Sequence, residues 1–175
     1  HLEWMSWRKL NLEEQISYIW VDSDGEGHAR LKDGREPMVK VGPKMGVRPV
    51  PVVKHLDQLA GKGLFEAYPQ LRAEDGAEGA ICYSQPEFID VLADWLVDLQ
   101  ALPGVDEVDV WMAENFAGET GCQCEQCSQY DRDVLEAKTI VKAWREAVRR
   151  VGDFEIRVLT SEETFDSNDE VFEVL

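Results

Sequence analysis

Four cysteines form the strongest candidate for a chemical site. Three of them lie in one short segment, Cys122-Gln-Cys-Glu-Gln-Cys127, and the fourth, Cys82, comes just before a predicted helix. Thiolates at such close spacing on a loop converge easily on one ion, and a fourth sulfur completes a tetrahedron. We therefore predict a metal site formed by Cys82, Cys122, Cys124 and Cys127.

Zinc in a structural role is the predicted ion, because four thiolates leave no coordination position open for water. An iron–sulfur cluster is an alternative, although the ligand spacing usual for such a cluster is longer. The same cysteines could instead form one or two disulfides or remain buried free thiols. Sulfur atoms about 2 Å apart indicate a disulfide, whereas sulfurs that share an ion lie farther apart.

A carboxylic acid, Glu114, follows a predicted strand over residues 108–112. Side chains at the carboxyl ends of the strands form the active site of a (β/α) barrel. There, Glu114 is a candidate general acid for glycosidic cleavage, with Asn115 to hold a hydroxyl and Trp111 to stack on a sugar ring. The alternative is that Glu114 is a solvated loop residue in a very acidic chain.

Other residues could complete a carbohydrate site. His55 follows a predicted strand and would reach the same edge of the sheet, where it would bind substrate, and Trp20 is a candidate for stacking on a sugar. Glycoside hydrolysis needs a second carboxylate. The candidates, none of which has a spacing that singles it out, are Asp22, Asp24 and Glu119. His28, in a glycine-rich stretch, is predicted to lie in an exposed loop.

Strands and helices alternate along the chain, which is typical of a parallel sheet with helices packed on it. A short amphipathic helix is predicted to end near Asn11. A longer helix begins at Ser84 with a capping box, and another covers residues 131–151. Residues 36–45 form a weak helix broken at Gly42-Pro43, and residues 54–79 form a long connector. The predicted strands are residues 16–21, 47–53, 108–112 and 154–159, the second of them weakened by two prolines.

The predicted fold class is α/β, a partial (β/α)8 TIM-barrel-like fragment with parallel strands and helices packed outside. Residues 1–175 are predicted to form one domain, as the chain length indicates. About four strands make this domain roughly half of a closed barrel. Such a fragment has two sheet edges, which the remainder of the barrel or self-association would cover. An open doubly wound sheet is the alternative, but no Gly-x-Gly-x-x-Gly follows a strand to support its dinucleotide-binding form.

Composition excludes several classes of partner. The chain has 175 residues, 44% of them apolar, enough for a core, and 18 basic against 35 acidic residues give a net charge of -17. That charge repels phosphate backbones and anionic lipids, so neither nucleic acid nor a membrane is an expected partner. No segment approaches the roughly 20 apolar residues of a membrane span. Both ends look cut, which leaves the compartment open, a secreted or periplasmic parent included.

The chain resembles a domain of unknown function in large bacterial proteins related to α-glucuronidases and hexosaminidases. The residues that carry the resemblance are Trp4 to Asn11, Phe65-Glu-Ala-Tyr-Pro69, Ala80-Ile-Cys-Tyr-Ser-Gln-Pro86, Val108 to Asn115 and the Cys-x-Cys-x-x-Cys phrase. The resemblance implies a barrel that acts on glycosides, or descends from one that does, with Glu114 at the position of the general acid. Ala113 stands where hexosaminidases have an aspartate, so substrate-assisted chemistry is not predicted.

Two other functions remain open. The domain could be a non-catalytic carbohydrate-binding or scaffolding barrel with a structural cysteine-rich metal site, since no second carboxylate is assigned. It could also be a metal-dependent interaction module held together by its cysteines.

Overall fold

The computed structural model describes residues 1–56, 58–114, 121–160 and 167–175. A five-stranded sheet with the order β2-β1-β3-β4-β5 forms its centre. The strands are β1 (Leu12–Val21), β2 (Gly27–Leu31), β3 (Arg48–Val53), β4 (Glu107–Trp111) and β5 (Glu155–Leu159). The helices are α1 (Leu2–Trp7), α2 (Glu36–Val41), α3 (Leu64–Ala67), α4 (Glu87–Gln100), α5 (Arg132–Val151) and α6 (Asn168–Val174).

The α/β class is confirmed, with one correction to the strand directions. Strands β1, β3, β4 and β5 pair in parallel and in chain order. Strand β2 instead pairs antiparallel to β1 through a hairpin, so the sheet is mixed. His28 lies on β2 and half-buried, not in an exposed loop as predicted, because its side chain packs against Trp20 on the neighbouring strand.

Two prolines lie within the central strand β3, where a missing N–H group is normally costly. The Arg48 N–H donates to Asn11 beside β1, so the alternate positions Pro49 and Pro51 have their nitrogens on the side of β4. Pairing with β4 begins only at Val52. The prolines therefore remove no hydrogen bond of the sheet, and the strand forms as predicted.

The two faces of the sheet differ. One, the helix-packed face, contributes Ile19, Val53, Val110 and others to a single apolar core with α4 and α5. The other, the polar face, has the intervening residues, whose side chains lie outside that core. By strand alternation and register it includes Tyr18, Trp20, Lys54, Asp109, Trp111 and Arg157.

Helix α4 protects the edge of the sheet at β2. The Asp94 and Asp98 carboxylates, one helical turn apart, accept hydrogen bonds from the Gly27 and Ala29 N–H groups, at 3.0 and 2.8 Å. This contact needs glycine at position 27, since a Cβ there would lie 2.7 Å from the Val91 carbonyl oxygen. The β2 edge is therefore covered within the chain. Strand β5 forms the other edge, where Leu159 is exposed.

The long connector after β3 is built on buried leucines rather than on regular structure. Leu56, Leu59, Leu64 and Leu71 are fully buried, and α3 and a 3-10 turn over Pro69–Leu71 form part of its course. Across the described residues, no helix has the length and apolar character that crossing a membrane requires.

Candidate metal centre and strand-end carboxyl

The structure brings the four cysteines together. All four are free, and their sulfur atoms lie within 4.8 Å of one another. The Cys82 sulfur is 3.7 Å from that of Cys124 and 3.9 Å from that of Cys127, nearly twice the length of a disulfide bond. Four sulfurs at about 2.3 Å from a tetrahedral zinc ion would be roughly 3.8 Å apart. The cluster is therefore compatible with a metal site.

Two loops position these cysteines. Cys82 follows a bridge between Arg72 and Ile81, and its N–H donates to the Leu71 carbonyl at 2.8 Å. The loop that precedes α5 contains the other three cysteines. A hydrogen bond from the Gln123 N–H to the Glu74 carbonyl, at 2.8 Å, joins this loop to the segment that leads to Cys82. The cysteine cluster therefore lies between the chain segments that lead into α4 and α5.

Backbone groups point at two of the sulfurs. The Glu74 N–H donates to the Cys122 sulfur and the Cys127 N–H donates to the Cys124 sulfur, each at 3.4 Å. Such donors favour the thiolate form, which is the form that binds a metal. The Cys127 N–H is the main reason that the pKa of Cys124 is lowered to about 6.

Burial acts in the opposite direction on the thiols of Cys122 and Cys127. It raises the pKa of Cys127 to about 12 and also raises the pKa of Cys122. Four thiolates so close together repel one another, and the charge of a divalent cation bound between them offsets that repulsion as the thiols release their protons.

Ser84 belongs to this cluster and not to a helix cap. Its hydroxyl oxygen lies 3.0 Å from the Cys82 sulfur and 3.7 Å from the Cys124 sulfur. Helix α4 begins after Pro86, with no side-chain cap. The predicted capping box is therefore wrong, because the thiols take the hydroxyl that would have capped the helix.

Glu114 lies at the carboxyl end of β4, beside His55 from the end of β3. The Glu114 Oε1 atom is 3.4 Å from His55 Nε2, and the Glu114 side chain is 35% exposed. His55 itself is buried, with Nδ1 3.3 Å from the Met112 carbonyl oxygen and its ring 5.2 Å from that of Trp111. Nδ1 must hold a proton to donate to that carbonyl, so Nε2 is the ring nitrogen that faces the Glu114 carboxyl.

A buried acid from α5 supports the segment that has Glu114. The Glu136 Oε1 atom accepts a hydrogen bond from the Ala113 N–H at 2.7 Å, and Glu136 is fully buried. Sequence patterns did not reveal this residue, since an acid within a helix normally faces solvent. The one sign of its burial in the sequence was that it precedes Ala137, a residue of the apolar stripe of α5.

The remaining predicted residues are only partly brought together. The ring contacts of Trp20 in the described residues are with Tyr18 and His28, at 5.5 and 5.2 Å, and not with the strand-end pair. Asp22 accepts hydrogen bonds from the backbone of its own hairpin turn and contacts His28, which lowers the pKa of Asp22. Asp24 is exposed at the tip of that hairpin. Asn115 and Glu119 lie outside the described residues.

Asp109 is a buried carboxyl on the polar face that the strand pattern treated as an ordinary outward-facing residue. It is 0% exposed, and its Oδ2 atom accepts a hydrogen bond from Trp111 Nε1 at 3.1 Å. Burial, with a smaller effect from the nearby Glu14 carboxylate, raises the pKa of Asp109 to about 6. Its position fixes the Trp111 ring, which in turn contacts His55.

The raised pKa of Asp109 predicts a pH-dependent stability. Because the folded state holds this proton more tightly than the unfolded state, whose aspartate titrates near 3.8, the stability contributed by Asp109 falls as pH rises from about 4 to 6. Asp109→Asn removes that loss. The free energy of unfolding of the variant, compared with that of the wild type, should therefore increase by about 2 kcal/mol between pH 4 and pH 7. Urea unfolding of both proteins at several pH values measures this. Asp24→Asn, at an exposed site, should show no such gain, and a difference for Asp109→Asn that is constant with pH would contradict the prediction.

No protein-family model matches this sequence, and no curated protein matches it significantly.

Proposed function

We propose that the cysteine cluster holds one zinc ion in a structural role. The observation that carries this proposal is the mutual approach of four free sulfur atoms to within 4.8 Å. Three of the four cysteines are buried, and two sulfurs accept backbone hydrogen bonds. With four thiolate ligands, zinc has no open position for water or substrate, so the ion would stabilise the fold without taking part in chemistry.

The metal content of the purified protein tests this proposal. One zinc per chain is expected, together with colourless protein, since an iron–sulfur cluster would absorb visible light. Cys124→Ser should lose most of the zinc, while Ser128→Ala, a change to an exposed side chain of the same loop, should retain it. Metal-free protein after expression with ample zinc, or iron in place of zinc, would contradict the proposal.

We propose further that the domain is a glycoside-hydrolase-like part of a (β/α) barrel. The contact between Glu114 and His55 at the carboxyl ends of β3 and β4 carries this proposal. Support comes from the parallel strands that follow one another in chain order and from helices α4 and α5, which pack on the same face of the sheet. The remainder of such a barrel, or a second copy of the chain, would add a strand at the β5 edge.

In this proposal Glu114 in its protonated form gives a proton to the glycosidic oxygen. His55 Nε2 contacts the Glu114 carboxyl and so fixes its position, and Trp111, on the polar face, offers a surface for a sugar ring. A second carboxylate is required for hydrolysis. Asp109 is too deeply buried to touch a substrate, so it does not fill that role.

A non-catalytic carbohydrate-binding domain is the second candidate, favoured because hydrolysis needs a second carboxylate and no residue is assigned to that role. Calorimetry with oligosaccharides, combined with a reducing-sugar assay, separates the two functions. Binding with cleavage supports the hydrolase, and binding alone supports the carbohydrate-binding domain. An absence of binding to a broad panel of oligosaccharides would contradict both.

A further inference from the structure

A cavity of about 210 Å³ opens beside β1 on the side of β3, and lysines surround it. Strands β1 and β3 pair only as far as Ile16 and Val52, after which they separate. The chain after β3 returns to β1 at Val21, whose N–H donates to the Lys62 carbonyl at 2.7 Å. The resulting gap, the lysine crevice, is lined by Ile16, Ser17, Tyr18, Ile19, Lys32, Lys54, Gln58 and Lys62.

The described lining residues of the lysine crevice are positively charged, whereas the chain as a whole is negative. The protein has a net charge of -17. In contrast, the described residues that line the crevice include Lys32, Lys54 and Lys62 and no acid. None of these lysines forms an ion pair among the described residues. Two acids are adjacent in sequence to lining residues: Asp33 is paired with Arg30 at 2.6 Å, and Asp57 lies outside the described residues.

The lysine side chains are partly held in place by the protein. Lys54 and Lys62 are half-buried, and the Lys62 ammonium lies 5.3 Å from the centre of the Tyr18 ring. That ring also contacts the Arg30 guanidinium, at 5.2 Å. Cation–π contacts of this kind limit the positions of the charges before any ligand arrives. Three ammonium groups around one cavity repel one another, and an anion between them relieves that repulsion.

We infer that the lysine crevice binds an oxyanion, the carboxylate, sulfate or phosphate group of a small ligand. The three ammonium groups and the Gln58 amide would donate hydrogen bonds to its oxygens, and the phenol of Tyr18 would lie beside them. The crevice lies beside the carboxyl end of β3, and ligands usually bind at the carboxyl ends of the strands of a parallel sheet. This inference does not depend on zinc in the cysteine cluster or on cleavage at Glu114.

Titration with inorganic sulfate tests the inference, with sodium chloride at the same ionic strength as the reference. We expect saturable shifts of the backbone amide NMR signals of Tyr18, Lys54 and Lys62, with a dissociation constant on the order of 1 mM. Lys54→Gln should weaken binding by about tenfold, and the triple change of Lys32, Lys54 and Lys62 to glutamine should abolish it. Lys54→Arg, which keeps the charge, should retain binding and separates loss of charge from misfolding.

A matched control tests whether the effect belongs to the crevice. The changes Lys40→Gln, Lys44→Gln and Lys138→Gln remove the same charge elsewhere and should leave sulfate binding intact. Equal loss in this control, or equal shifts with chloride, would overturn the inference because general screening would explain them. Acetate in place of sulfate then identifies the group: tighter binding of acetate indicates a carboxylate ligand, and tighter binding of sulfate indicates a tetrahedral one.

Discussion

Cys127→Ser should lower the stability of the zinc-loaded protein by about 4 kcal/mol, the stabilisation expected of a ligand present at a thousand times its dissociation constant. Cys127 is buried and its sulfur is 3.9 Å from that of Cys82. A serine there cannot supply the thiolate that zinc prefers, so the loops before α4 and α5 lose their common attachment. In a domain of this size the loss corresponds to a decrease in Tm of roughly 10 °C.

Thermal unfolding with and without a strong zinc chelator measures this effect. The chelator should lower the Tm of the wild type to near that of Cys127→Ser and leave the variant almost unchanged. Ser128→Ala, the neighbouring exposed position, should behave as the wild type does. A chelator effect of equal size in Cys127→Ser and in the wild type would show that the stabilising ion, if any, lies elsewhere.

Glu114→Gln should reduce the cleavage of aryl glycosides at least 100-fold while leaving the fold intact. The amide cannot donate an acidic proton to a leaving oxygen, and general acid catalysis typically contributes about 10²- to 10⁴-fold. Glutamine can still contact His55 Nε2, so the strand-end geometry should persist. Rates are to be measured in the protein that contains this domain, together with its circular dichroism and Tm.

Two controls separate catalysis from binding and from surface charge. Glu66→Gln, at an exposed position of α3, should leave turnover unchanged. Substrates with very acidic leaving groups need less protonation, so they should lose less rate in Glu114→Gln than poor leaving groups do. Turnover that is equal in wild type and Glu114→Gln for both classes of substrate would exclude Glu114 as the acid.

The elements with strong local patterns could be predicted from the sequence, whereas β2 and the short helices α3 and α6 could not. Strands β4 and β5 and helices α4 and α5 have clear periodicity and appear close to their predicted bounds. Strand β2 was missed because Gly27 and His28 resemble a loop, although the Asp22-Ser-Asp-Gly turn could have indicated a hairpin. The carboxylates of α4 that accept hydrogen bonds from the free edge of β2 are distant from that strand in sequence, and no local pattern reveals this contact.

Local sequence predicted which residues belong to the site better than it predicted how they are held. We expected a parallel strand ending at Ile81 to bring Cys82 to the other cysteines, but Ile81 belongs to an isolated antiparallel bridge and not to a strand of the sheet. Ser84 was assigned to a helix cap because its attraction to two thiols depends on the fold. Glu136 and Asp109 were missed for a related reason: a buried acid looks like a surface acid until its partners are known.

Zinc K-edge X-ray absorption of the purified protein tests most directly whether the four cysteines share one ion. The cysteine cluster predicts a single shell of about four sulfur atoms at approximately 2.3 Å from zinc. A shell dominated by nitrogen or oxygen, or fewer than three sulfurs around each zinc ion, would contradict a shared four-cysteine site.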